Sequence, residues 1–240
     1  MTTYVIRLWV PDRPGALGAV ASRIGAVGGD VVGIDILERG AGRAIDELVV
    51  ELPGNGHAAL ADLDGVPDET LVALMVAEMR QVDGVDVEQV RPMAESLRDP
   101  RLDALETAAL LVGASNPIEA VETLCFHAAR TVGAEWGIVI ALDPAEVVAA
   151  HGEPPELGWV SAFVAGSQSS ARLTNETNGP EDVVWSPLPA AGMALVLGRS
   201  GTPFRARERR QVAALARIVD TRFRELSVTS ARQLHPSFRR

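Results

Sequence analysis

Apolar residues alternate with polar ones in some stretches of this chain and recur every three or four positions in others, and the switches between the two periods predict its elements. Residues 4 to 10, Tyr-Val-Ile-Arg-Leu-Trp-Val, read as a strand. Leu17, Val20, Ile24 and Val27 recur at helical spacing, so a helix is expected over 15–28, closed by Gly28-Gly29. Asp30 to Glu38 alternates again through Val32, Ile34 and Ile36, and a glycine-rich turn, Arg39-Gly40-Ala41-Gly42, leads into a return strand over 44–52 carrying Ile45, Leu48, Val50 and Leu52. A second helix is expected over 68–81 through Leu71, Leu74, Met75 and Met79, and Asp83-Gly84 turns into a last strand over 85–90.

Strand, helix, strand, strand, helix, strand is the ferredoxin-like βαββαβ arrangement. A short polar linker, 94–100, ends this first domain (1–93). A second α+β domain follows over 101–226. It opens with a helix over 103–112 that carries Leu102, Leu105, Ala109 and Leu110 on one face, and with a helix over 117–132 begun by Asn116 as N-cap and Pro117 at the first helical position. Trp136 to Leu142 is a nearly continuous apolar strand with 147–151 as its hairpin partner. Strands are also expected over 159–164, 183–188 and 193–198, with a loop over 166–182. A helix over 205–226 turns Val212, Leu215, Ala216, Ile218, Val219 and Phe223 inward and its arginines outward. The expected architecture is an antiparallel sheet of about five strands flanked by helices, followed by a flexible basic tail, 227–240.

Composition narrows the chemistry. Apolar residues make up 47% of the 240 and aromatics only 4%, so the cores are built from Ala, Val, Leu and Ile. All 22 basic residues are arginine, which excludes Schiff-base catalysis, a lysine general base and a Walker-type phosphate loop. The single cysteine, Cys125, has no internal disulfide partner. With no basic-plus-apolar leader at the N-terminus and no apolar run long enough to span a bilayer, the expectation is a cytoplasmic protein without a membrane partner. Charge is uneven: residues 199 to 240 carry 11 Arg against 3 acids, and the first 198 residues carry 11 Arg against 29 acids. The acidic body disfavours a nucleic-acid partner and leaves only the arginine-rich last helix as a route to one.

The junction Pro11-Asp12-Arg13-Pro14-Gly15-Ala16-Leu17-Gly18 joins the first strand to the first helix. Its prolines fix two backbone angles, its glycine lets the main chain approach a ligand, and the free N–H groups of the helix start suit a carboxylate. Elsewhere the sequence carries few marks of catalytic chemistry. No Gly-x-Ser-x-Gly elbow is present. Cys125 reads as a small buried hydrophobe, with His127 on another helix face. His57, His127, His151 and His235 lack a metal spacing. No cofactor is implied, and the chain is expected not to be an enzyme.

Over residues 4 to 92 the sequence resembles the ACT domains, small regulatory modules that bind amino acids. The resemblance is carried by Asp12-Arg13-Pro14-Gly15-Ala16-Leu17-Gly18, Ile24, Gly28-Gly29-Asp30-Val31 and Val82-Asp83-Gly84-Val85. It implies a ligand held by Asp12, Arg13, Pro14, Gly15, Ala16 and Leu17 beside Asp30, Val31 and Val32, at the interface of a side-by-side homodimer. Asp30 departs from the family, which often has asparagine there; an aspartate accepts from an ammonium and cannot donate to a carboxylate. Residues 100 to 226 resemble the GAF domains, small sensory modules, through Ala120 to Gly133, Glu135-Trp136-Gly137-Ile138-Val139-Ile140, Trp185-Ser186-Pro187-Leu188, Ala194 to Arg199, and Pro203-Phe204-Arg205-Ala206-Arg207-Glu208-Arg209-Arg210. None of that family's nucleotide-binding signatures is present. Together these readings describe an allosteric, amino-acid-sensing regulatory protein that signals through another protein. Two alternatives stand beside it: a regulatory subunit or enzyme using a small-molecule pocket in the second half, and a nucleic-acid-associated regulator using the last helix.

Overall fold

The computed structural model describes residues 2–53, 68–93, 100–174 and 180–234. The chain divides into two compact units, Met1–Arg98 and Asp99–Arg240. The linker expected over 94–100 lies almost wholly outside the described residues, as do His57 and His235.

In the first unit the elements run β1 (Thr2–Pro11), α1 (Ala16–Ala26), β2 (Asp30–Gly40), β3 (Arg43–Leu52), α2 (Asp68–Met79) and β4 (Asp86–Pro92). The four strands form one antiparallel sheet in the order β2-β3-β1-β4. Alternation along β1 and β3 puts Ile6, Leu8, Val10, Leu48, Val50 and Leu52 on the face that α1 and α2 cover. Val20 and Ile24 from α1 and Leu71, Met75 and Met79 from α2 complete the core. α2 stops at Met79, two residues short of the sequence expectation. β2 behaves differently from its pattern. It is an edge strand bulged between Val31 and Gly33 and between Ile36 and Glu38, and its alternating apolar positions remain exposed: Val32 by 51%, Ile34 by 42% and Ile36 by 40%.

The second unit contains α3 (Pro100–Gly113), α4 (Pro117–Val132), β5 (Trp136–Leu142), β6 (Ala145–His151), α5 (Leu157–Thr174), β7 (Val183–Leu188), β8 (Met193–Gly198) and α6 (Ala206–Leu234). Its antiparallel sheet has four strands, not five, in the order β6-β5-β8-β7. Residues 159 to 164 are helical. Val160 and Val164 lie four apart and both are buried against Ile138, Ile140, Ala194 and Val196, so the run Trp-Val-Ser-Ala-Phe-Val carries a helical stripe too short to be told from a strand by alternation. α5 also takes the first part of the loop expected over 166–182. The sheet is covered on both faces. Val139, Leu195 and Leu197 point to α4 and α6 while Ile138, Ile140, Ala194 and Val196 point to α5, which is why β5 and β8 read as continuous apolar runs.

Three further expectations change. α3 buries Thr107 and Leu111 and leaves Leu102, Leu105 and Leu110 exposed, so its inward face is not the leucine-rich one. α6 continues through Leu234, so the segment 227–234 expected in the tail is helix. The C-terminal arginines do not all line a solvated face: Arg199 and Arg205 are buried, and Arg209 donates to the backbone carbonyls of Phe204, Val183 and Glu181.

Candidate functional site

The loop after β1 is built by short-range backbone bonds. The Asp12 N–H donates to Gly42 O at 2.9 Å, tying the loop to the β2–β3 turn, and the Arg13 N–H donates to Pro11 O at 2.8 Å. Arg43 braces it from beneath: it pairs with Pro11 across β1 and β3, its guanidinium lies 4.9 Å from the centre of the Trp9 ring, and it donates to Gly84 O at 3.3 Å. Gly15 is the N-cap of α1 at φ +86°, a left-handed conformation that glycine adopts without strain. A Cβ placed on Gly15 would meet nothing within 4 Å. Space above the glycine is open, so its role is conformational rather than steric.

α1 has no side-chain cap and no acidic residue in its first turn. The N–H groups of Leu17 and Gly18 precede the first residues that have an acceptor one turn back, so they face the loop with the positive end of the helix dipole behind them. Asp12, Arg13, Pro14 and Gly15 are exposed, Ala16 is buried and Leu17 is half-buried against the core.

Asp30, Val31 and Val32 sit elsewhere. Asp30 pairs with Glu51, and Glu51 pairs with Thr3 at the start of β1, whereas the loop follows Pro11 at the other end of the same strand. Eight strand residues separate the two places, about 27 Å. The two groups of residues named from the sequence therefore do not meet within one chain.

A residue the sequence reading passed over does lie near the loop. Asp46 of β3 is directly opposite Leu8 of β1 and Ile36 of β2, on the face that carries Ala44, Leu48 and Val50. It is only 4% exposed, and its Oδ1 is enclosed without a hydrogen-bond partner. Burial raises the Asp46 carboxyl above its ordinary value; the positive charge of Arg39 opposes the shift and the negative charge of Asp12 adds to it. The signal was present in the sequence. Ala44, Asp46, Leu48, Val50 and Leu52 share one phase of the strand, and Asp46 is the only polar member.

In the second unit, an open groove of about 640 Å³ between α3 and α4 is lined by Glu106, Leu110, Glu119, Thr123 and His127 among others. Glu119 is already engaged at the start of α4, accepting from the Ser115 N–H at 2.8 Å while its own N–H donates to Asn116 Oδ1 at 2.9 Å. The Phe126 ring makes T-shaped contacts with His127 and His151, with ring centres 5.1 and 5.0 Å apart. Cys125 is buried, and burial pushes its thiol up to about 12 despite a bond from the Val139 backbone. Among the described residues no group of three or more His, Cys, Asp or Glu is arranged to hold a metal ion, and no helix is long and apolar enough to cross a membrane.

No protein-family model matches the chain, and no curated protein does. Solved structures do. The GAF domain of an Acinetobacter phosphoenolpyruvate-protein phosphotransferase matches at 12% identity and a TM-score of 0.40, covering 57% of this chain and 97% of that one. The photosensory core module of a Stigmatella aurantiaca phytochrome matches at 13% identity and a TM-score of 0.40, over 83% of this chain and 44% of that one. The chromophore-binding domain of a bacteriophytochrome from R. palustris matches at 11% identity and a TM-score of 0.38, over 95% and 94%.

Proposed function

We propose that the chain is a regulatory, non-catalytic amino-acid-binding protein. Its first unit is a ferredoxin-like, ACT-type module with its ligand at the Asp12 to Leu17 loop, and its second is a GAF-like module that relays the signal. The observation that carries this reading is the start of α1: an uncapped helix N-terminus behind a left-handed glycine with open space above it, the arrangement that receives a carboxylate. The element order with strands in the order β2-β3-β1-β4 supports the ferredoxin-like assignment. A four-stranded antiparallel sheet with α4 and α6 on one face and α5 on the other supports the GAF-like one.

The edge strand supports a homodimer. β2 presents unpaired backbone groups together with exposed Val32, Ile34 and Ile36, the kind of edge that joins a second sheet. Antiparallel pairing of two β2 strands sets the Asp30 end of one copy beside the loop end of the other. The two groups of residues that lie about 27 Å apart within a chain thereby form one site across the dimer. Ligand binding at that junction favours the paired arrangement, and the shift in population is the signal.

Calorimetric titration with the twenty amino acids tests this. At least one is expected to give saturable heat, and none doing so in well-folded protein overturns the reading. Gly15→Val places a β-branched residue at a positive φ, distorts the cap and is expected to abolish the heat. If the variant binds as the parent does, the ligand sits elsewhere, and the α3–α4 groove is then the place to look.

A further inference from the structure

Asp46 is an anomaly in the core of the first unit. An aspartate placed among Leu8, Ile36, Ala44 and Leu48 interrupts an otherwise apolar face, and a carboxylate oxygen enclosed without a donor costs free energy that an apolar residue would not. Asp46 lies two strand residues inward from Ala44, which pairs with Val10 just before the loop begins. The charged groups that act on it are Arg39 of β2 and Asp12 of the loop itself. Toward the edge of the sheet its neighbours are less covered: Ile36, directly opposite, and Ile34, the next inward-facing position on the edge strand, are both two-fifths exposed.

We propose that Asp46 anchors the ammonium group of an amino acid with an apolar side chain, the carboxylate of that ligand meeting the Leu17 and Gly18 N–H groups and its side chain lying on Ile34 and Ile36. This rests on the reading of the Asp12 to Leu17 loop as an amino-acid site and adds to it a buried acceptor from the same chain as the loop. The helix start attracts only the negative end of a zwitterion; Asp46 supplies a buried acceptor for the positive end, and an ammonium brings three donors to an oxygen that has none. The exposed isoleucines select against a polar side chain, because a charged or hydroxylated ligand would lose water there without gaining a partner. Asp12 shares the attraction for the cation at the rim.

The test is titration of the full chain with L-leucine, L-isoleucine, L-aspartate, N-acetyl-L-leucine and 4-methylpentanoate, repeated on Asp46→Asn and on Gly15→Val, with folding checked by circular dichroism. Leucine or isoleucine is expected to bind the parent. N-acetyl-leucine and 4-methylpentanoate, which lack the ammonium, should bind about 100-fold more weakly, the worth of a charge-assisted bond. Asp46→Asn should weaken leucine by a similar factor and leave the weak binding of 4-methylpentanoate unchanged. If Asp46→Asn binds leucine within about threefold of the parent while Gly15→Val does not bind, the loop site stands and the role of Asp46 falls. Preferential binding of aspartate overturns the apolar selectivity. Heat from none of the twenty amino acids removes the loop site and the anchor together. Should Asp46→Asn misfold, Asp46→Leu serves in its place, since an apolar residue suits that face.

Discussion

Each unit buries a charged group beside its sheet, and the two groups are treated in opposite ways. In the second unit Arg199 is 7% exposed, and every part of its guanidinium is used. It makes two bonds of 2.9 Å to Glu208 and donates to the backbone oxygens of Thr202, Val132 and Pro203. It also lies 4.0 Å from the centre of the Phe204 ring. Glu208 closes the network by accepting from the Arg205 N–H at 2.7 Å, which caps the start of α6. In the first unit Asp46 is as deeply buried, and its Oδ1 has nothing. A charge bound on every side is part of the architecture, because its desolvation is offset by fixed partners. A charge left without a partner lowers stability, and a residue kept at such a cost is a candidate for work outside folding.

The comparison breaks first, and hardest, at Arg199. Arg199→Met keeps the stem and removes the guanidinium, leaving Glu208 a buried carboxylate and the carbonyls of Val132, Thr202 and Pro203 without their donor. The expected loss is about 3–5 kcal/mol, read as a fall in the denaturant midpoint of the second unit. A loss below about 1 kcal/mol would show that Arg199 is no more integral than a surface pair such as Arg222 with Glu225.

Asp46 should move stability the other way. Asp46→Leu in unliganded protein is expected to gain about 1–3 kcal/mol at neutral pH. The pH dependence follows from the direction of the shift. The folded carboxyl is raised above the ordinary 3.8, so the folded state holds the proton more tightly than the unfolded chain does. The contribution to stability is greatest below the ordinary value and is lost as pH rises through the raised one. The advantage of Asp46→Leu is therefore smallest near pH 4 and grows toward neutrality. Paired unfolding curves at several pH values measure it, and an advantage independent of pH would show that Asp46 ionises in the fold as readily as in the unfolded chain.

These two residues also mark how much of the molecule was legible in the sequence. The order of elements in the first unit and most of the second follows from period and punctuation, because Pro, Gly and Asn116 act locally. Positions set by long-range neighbours do not. Ile34 and Ile36 alternate as an inward face, yet β2 is an edge whose bulges and neighbours leave them half in solvent. Leu102, Leu105 and Leu110 make the more apolar stripe of α3, yet the buried positions are Thr107 and Leu111. The run Arg199, Phe204 and Glu208 was visible as a motif, and its network was not, since a turn brings together residues nine apart in the chain. The loop of the candidate site could be read because its geometry is short-range. The anchor could not be assigned without the register that sets Asp46 opposite Leu8 and Ile36.

The smallest expected effect bears most directly on the contrast between the two charges. Glu208 has its cation fixed in bidentate contact and shielded from water, whereas the positive charge that favours ionised Asp46 is Arg39, an exposed residue of the edge strand. Arg39→Gln removes that attraction and leaves burial and Asp12 to act alone, so the Asp46 carboxyl rises further. The unliganded protein should then lose only a few tenths of a kcal/mol at neutral pH, because an exposed charge is weakened by solvent and screened within about 8 Å in physiological salt. The effect should fade as salt is raised and vanish in Asp46→Leu. Persistence in that background would mean that Arg39 acts through some other group. Disappearance in both conditions would establish that Asp46 relies on a screened neighbour within its own chain, where Glu208 relies on a fixed one.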